Sequence, residues 1–348
     1  MMKLFFFSAR PYDVKYFQQT HASKFSSKFE IVFHEIPLTK DTASLAKGAT
    51  AVCIFVNDVL GSDLLKTLHG YGVRAVLLRC AGYNAIDLKA AEGLGILVAN
   101  VPAYCPEAVA EFAVTLIQTL NRKTHRAFNR TREGNFSLDG LIGFTLHGKC
   151  VGLVGTGRIG IACAKILHGF GCRILAYDPY PSDALKQYGE FTDLDNLLAQ
   201  SDIVSLHCPL MEGTRHIVNE SFLKTMKKGA MLVNTSRGGL VDTEAVIASL
   251  KSKQLGSLAL DVYEREDMFF YGDHSGEVIG DDSLMRLVTF PNVLLSGHQA
   301  FLTQESLEEI AETTLQNMED FIEKKPCKHA LTQRPGEVAA QSYGAVRI

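Results

Sequence analysis

The segment Val151-Gly152-Leu153-Val154-Gly155-Thr156-Gly157-Arg158-Ile159-Gly160 constrains the fold of this chain more than any other. It joins an apolar run of strand character to an apolar run of helix character through G-x-G-x-x-G. As bare spacing that signal is weak; the strand before it and the helix after it give it meaning. Gly155 permits a tight turn, Gly157 lets backbone amides approach a pyrophosphate, and Gly160 lets the helix pack close to the strand. The phosphates then meet the positive end of a helix, where Arg158 and Ile159 begin it. Asp178 stands at the end of the next strand pattern, placed to accept hydrogen bonds from the adenosine ribose. The same acid opposes a 2′-phosphate, since two unit charges 4 Å apart repel by roughly 4 kcal/mol at an effective dielectric of 20. The following Pro179-Tyr180-Pro181 offers no Arg to receive that phosphate, so the expected cofactor is NAD.

Around this motif, short β-branched runs alternate with helical patterns along the whole chain, which predicts parallel sheets covered on both faces. The first series has strands at Lys3–Ser8, Phe29–His34, Ala51–Val56, Ala75–Arg79 and Leu97–Asn100, with helices at Ser62–His69 and Asp87–Glu92. One long helix is expected from Pro106 to Arg130. The second series has six strands, Cys150–Val154, Arg173–Tyr177, Ile203–His207, Ala230–Thr235, Ser257–Val262 and Val293–Ser296, which complete a doubly wound dinucleotide domain. A last helical pattern covers Gln304–Lys324, and a loop-like tail follows it.

A length of 348 residues suggests two domains at roughly 100–200 residues each. The formal charge of −3 leaves no basic surplus for nucleic acid or an anionic membrane. The basic residues from Arg122 to Arg132 read as a helix end. No apolar run is long enough to span a membrane, and Leu4-Phe5-Phe6-Phe7 is too short for a signal-peptide core. Eight Cys without a CxxC pair read as reduced thiols in a cytoplasmic protein. The acidic stretch from Glu264 to Asp282 reads as a solvated loop, and no metal is expected.

Three polar residues fall beyond strand ends, the edge where open α/β sheets bind ligands: Arg237 in Asn234-Thr235-Ser236-Arg237-Gly238-Gly239, Glu266 after Asp261-Val262-Tyr263-Glu264-Arg265, and His298 in Ser296-Gly297-His298-Gln299-Ala300-Phe301. Singly, each has a plain structural explanation. Beside an NAD loop they supply what reduction of a 2-keto acid requires. An Arg can hold a carboxylate by two hydrogen bonds, a His can give a proton to the carbonyl oxygen, and a Glu can keep that His charged and oriented.

In these motifs the chain resembles the D-isomer-specific 2-hydroxyacid dehydrogenase family over nearly its whole length. The stretch Tyr263–Phe270 and the ending His298-Gln299-Ala300-Phe301 are similar to lactate-type members. Arg79-Cys80-Ala81-Gly82 looks like the family's substrate loop, and Val101-Pro102-Ala103-Tyr104 like its hinge. The resemblance implies an α/β architecture of two doubly wound Rossmann/flavodoxin-like domains with a cleft between them: residues 1–103 with 300–348 for substrate, and 104–299 for NAD. It also implies Arg237, Glu266 and His298 as catalytic residues. Ala81 and Gly82 would bind the carboxylate, with Tyr104 and Phe301 bounding the pocket. His207, Cys208, Pro209, Thr235, Ser236 and Asp261 would join the glycine loop in holding NAD, with His207 equally readable as a strand end. The implied activity is NAD-dependent interconversion of a small 2-keto acid, pyruvate, and its D-2-hydroxy acid, by a homodimer or by dimers paired into a tetramer. A reductase of glyoxylate, hydroxypyruvate or a larger 2-keto acid, and an NAD-sensing regulatory protein, are the competing expectations.

Overall fold

The computed structural model describes residues 1–332; the end of the expected substrate domain, from 333 onward, lies outside the described residues. The described residues form two compact units, one of Met1–Cys105 together with 302–332, the other of Pro106–Phe301.

In the first unit, β1 (Met2–Phe6), β2 (Phe29–Phe33), β3 (Ala51–Ile54), β4 (Ala75–Leu78) and β5 (Leu97–Ala99) form a parallel sheet in the order β2-β1-β3-β4-β5. The strands β3, β4 and β5 are wholly buried and apolar, as strands covered on both faces must be. The order reverses between β1 and β3. There Ser8 donates its hydroxyl to buried Asp58 (2.8 Å), which also accepts from the amides of Phe55 (2.7 Å) and Leu38 (3.1 Å). Arg79, just after β4, is buried with its guanidinium bonded to the carbonyls of Phe7 (3.1 Å) and Ser8 (2.7 Å) and 3.3 Å from Asp13. A buried cation needs such partners, and they fix the start of the Cys80–Gly82 loop. Asp13 and Phe17 are the buried side chains of a helix, Pro11–Thr20, whose sparse apolar pattern gave no sequence signal. The helix Gln304–Ile322 belongs to this unit: Asn317 donates to the carbonyl of Asn100 (3.0 Å), and the amide of Leu331 to that of Val98 (2.7 Å).

In the second unit, β6 (Cys150–Val154), β7 (Arg173–Tyr177), β8 (Glu190–Phe191), β9 (Ile203–Leu206), β10 (Ala230–Asn234), β11 (Leu255–Leu260) and β12 (Val293–Leu295) form a parallel sheet in the order β12-β11-β10-β9-β6-β7-β8. Helices Pro106–Arg122 and Arg158–Gly169 cover one face. Helices Leu194–Gln200, Glu220–Thr225, Thr243–Lys251 and Asp282–Thr289 cover the other. Two expectations are corrected. The sheet has seven strands, because the two-residue β8 at its edge is too short to carry an alternation. The long helix after Pro106 is two helices, Pro106–Arg122 and Thr124–Arg132, broken where Lys123 turns left-handed at φ +52°. At that break Asn121 exchanges hydrogen bonds with the amide and carbonyl of Phe144, both 2.8 Å, so a later segment docks across the helix end.

Candidate active site

The glycine loop lies at the carboxyl end of β6, where the strand order of the second sheet reverses. Gly155 has φ +100°, and a Cβ there would lie 2.6 Å from the backbone of His207 and Cys208. A Cβ on Gly160 would lie 2.3 Å from the Gly155 carbonyl. Gly157 precedes the helix without any side-chain cap, which leaves the amides of its first turn, at Arg158 and Ile159, free for an anion. Asp178 reaches across the loop. One oxygen accepts from the amide (2.7 Å) and hydroxyl (2.8 Å) of Thr156, the other from the amide of Tyr180 (2.8 Å). Thr156 carried no signal in the sequence, yet it ties the acid to the loop.

Beyond β9, His207 is buried with Nε2 3.0 Å from the Ser205 hydroxyl, and burial pushes its pKa down to about 4. That leaves an uncharged ring at neutral pH, just past the end of β9. Cys208 is buried before Pro209, and burial raises its thiol pKa to about 11, so it stays protonated and unreactive. The hydroxyl of Ser236 donates to the Cys208 carbonyl (2.7 Å), joining the ends of β9 and β10. Thr235 beside it carries a buried hydroxyl with no hydrogen-bond partner among the described residues. An orphaned buried hydroxyl, a loop where Cβ atoms would collide, and an uncapped helix start together fit a dinucleotide.

Arg237 follows at the head of a tight turn, half-buried, with Nη1 on the Ser236 carbonyl (2.7 Å). Asn234, fully buried at the end of β10, shapes this turn by accepting from the Ser236 amide (2.9 Å) and donating to the Arg237 carbonyl (2.8 Å). Its amide is the local signal that a sequence reading overlooks. Gly238 seats the turn on the next loop, since a Cβ would lie 2.0 Å from the Tyr263 carbonyl carbon.

That next loop brings the acid and the imidazole together. Glu266 places Oε1 2.7 Å from Nδ1 of His298, while Oε2 accepts from the Tyr263 amide at 2.9 Å. Both side chains are about 15% exposed, Glu266 at 15% and His298 at 14%. Asp261 is fully buried, accepting from the Ser296 hydroxyl (2.7 Å) and the amides of Gln299 and Ala300 (both 2.9 Å). Burial raises its pKa, and these hydrogen bonds oppose the rise. Its carbonyl also takes the His298 amide at 2.7 Å. These bonds hold His298 at φ +54°, a conformation costly for a side-chain-bearing residue. The Phe301 ring meets the imidazole edge to face at 6.5 Å, and the hydroxyl of Tyr271 donates to the His298 carbonyl at 3.3 Å. With Nδ1 occupied by a carboxylate, Nε2 is the ring nitrogen left for another partner.

In the first unit, Ala81 is buried and its carbonyl accepts from Asn100 (2.8 Å); the thiol of Cys80 donates to the Gly82 carbonyl (3.3 Å). Tyr104 is half-buried one residue before that unit ends. Among the described residues no group of three or more His, Cys, Asp or Glu side chains could hold a metal, and no helix is long and apolar enough to cross a membrane.

Residues 114–300 match the family model for the D-isomer specific 2-hydroxyacid dehydrogenase NAD binding domain. The chain is 61% identical to a 2-hydroxyacid dehydrogenase A of Aspergillus oryzae and 60% identical to the D-lactate dehydrogenase kk1H of Curvularia clavata, each over 100% of both chains. It is similar to the apo-structure of D-lactate dehydrogenase from Escherichia coli, with a TM-score of 0.86 and 48% identity over 95% of this chain and 100% of that one.

Proposed function

Because the chain belongs to the D-isomer-specific 2-hydroxyacid dehydrogenase family, we propose that it is an NAD-dependent D-lactate dehydrogenase, interconverting pyruvate and D-lactate. The family membership carries the reaction class and the cofactor. The observation that carries the chemistry is the Glu266–His298 pair, held at 2.7 Å beside the Arg237 turn.

Bound NADH supplies hydride to the carbonyl carbon. His298 donates the proton from Nε2 to the ketone oxygen, and in the reverse direction takes it from the hydroxyl. Glu266 stabilises the imidazolium and fixes the ring plane. Arg237 grips the carboxylate and polarises the ketone. Phe301 limits side-chain size, and Ala81, Gly82 and Tyr104 are proposed as substrate residues of the first unit. The glycine loop and Asp178 take the pyrophosphate and ribose. Thr235 and Ser236 line the path toward the nicotinamide, and Asp261 receives its carboxamide.

The homodimer remains part of this proposal. Phe128, Phe136, Leu138 and Ile142 are largely exposed around the helix break and suit burial against a second copy. A cytoplasmic location is supported by eight cysteines outside any disulfide. The test is NADH absorbance with added pyruvate, followed by enantiomer analysis of the product. D-lactate is expected; L-lactate, or no turnover, refutes the assignment.

A further inference from the structure

We propose that His216 and Glu264 form a positioning clamp for Arg237, setting affinity for the substrate carboxylate without touching substrate. The inference deepens the proposed function and rests on Arg237 binding that carboxylate.

A second histidine–carboxylate pair stands close to the acid/base pair in sequence. Nε2 of His216 lies 3.0 Å from Oε2 of Glu264, two residues before Glu266. Glu264 is only 18% exposed, while His216 is 36% exposed. His216 occupies the left-handed region at φ +50°, which a side-chain-bearing residue adopts only when its surroundings hold it there. Two bonds do so: its amide donates to the Gly239 carbonyl (2.9 Å), and its carbonyl accepts from Asn219 (3.3 Å).

The contacts close a ring around the Arg237 turn. On one side, Gly238 lies directly on the Tyr263–Glu264 backbone. On the other, Gly239 is held by the His216 amide. The imidazole and the Glu264 carboxylate join the two sides. The short stretch Tyr263–Glu266 therefore serves two groups: Glu264 reaches toward the carboxylate-binding turn and Glu266 toward His298. This support steadies the turn that carries the guanidinium. A shift of a fraction of an ångström in the turn spoils a two-point grip before it unfolds anything.

Pyruvate and NADH kinetics of Glu264→Ala, Glu264→Gln, His216→Asn and the double variant His216→Asn/Glu264→Ala test the clamp, with Arg237→Lys as reference. His216→Asn suits a left-handed position yet is too short to reach Glu264. Glu264→Ala is expected to raise KM for pyruvate by about five-fold or more, with kcat within about two-fold and KM for NADH unchanged. Glu264→Gln, which keeps an acceptor for the ring, retains most of the affinity. The double variant is no worse than the worse single one. An unchanged KM for pyruvate in Glu264→Ala, a parallel rise in KM for NADH, or multiplied effects in the double variant overturns the clamp. A raised KM in Arg237→Lys beside a normal one in Glu264→Ala refutes the clamp alone. A normal KM in Arg237→Lys refutes the carboxylate assignment and the clamp with it.

Discussion

Glu266 holds Nδ1 of His298 at 2.7 Å with one oxygen and is itself fixed by the Tyr263 amide through the other. The imidazole is thus locked from both ends, by a carboxylate at its ring and by Asp261 at its backbone. The left-handed backbone of His298 is costly, and the buried bonds of Asp261 to the amides that follow it offset that cost.

Asp178 is proposed to set cofactor choice. Its carboxylate accepts from the Thr156 amide and hydroxyl and from the Tyr180 amide, which leaves one lone pair for a ribose hydroxyl and a negative charge against a 2′-phosphate. Asp178→Ala is expected to raise the NADPH-to-NADH ratio of kcat/KM by roughly tenfold or more, within the few kcal/mol such a repulsion supplies. An unchanged ratio places the ribose elsewhere.

Phe301 is proposed to set substrate size. It is buried against the His298 ring. Phe301→Ala opens that side and is expected to favour phenylpyruvate over pyruvate relative to the parent, at a cost of about 3 kcal/mol in stability. Competing-substrate rates and a denaturant titration measure both effects. No relative gain for phenylpyruvate removes Phe301 from the pocket.

His207 makes the fold acid-sensitive. Its pKa falls from 6.5 to about 4 through burial. Below 6.5 the unfolded chain takes up a proton that the native ring refuses, so stability falls as pH drops and levels off below about 4. This residue alone accounts for about 2 kcal/mol between pH 7 and pH 5. Urea titrations at both pH values are expected to show a smaller loss in His207→Gln; an equal loss would contradict the assignment.

The sequence carried the sheets, the glycine loop and the three polar residues because each rests on local rules: alternation, a turn that needs glycine, a side chain just past a strand. It did not carry the partnerships. Asn234 reads as the end of a strand, and its role as organiser of the Arg237 turn needs the turn's own geometry. The Thr156–Asp178 link spans two strands, and the break at Lys123 depends on the 142–144 segment docking on Asn121. Neither long-range contact leaves a periodic trace. His216 likewise reads as an ordinary loop histidine until Glu264 is found beside it.

The proposed proton donor is His298, supported by Glu266. It is tested by kcat/KM for pyruvate in the parent, His298→Ala and Glu266→Gln, with NADH binding followed by fluorescence. His298→Ala is expected to lose about 10²–10⁴-fold while NADH still binds, and Glu266→Gln, which keeps the hydrogen bond without the charge, to lose less. Near-parental turnover in His298→Ala would contradict it.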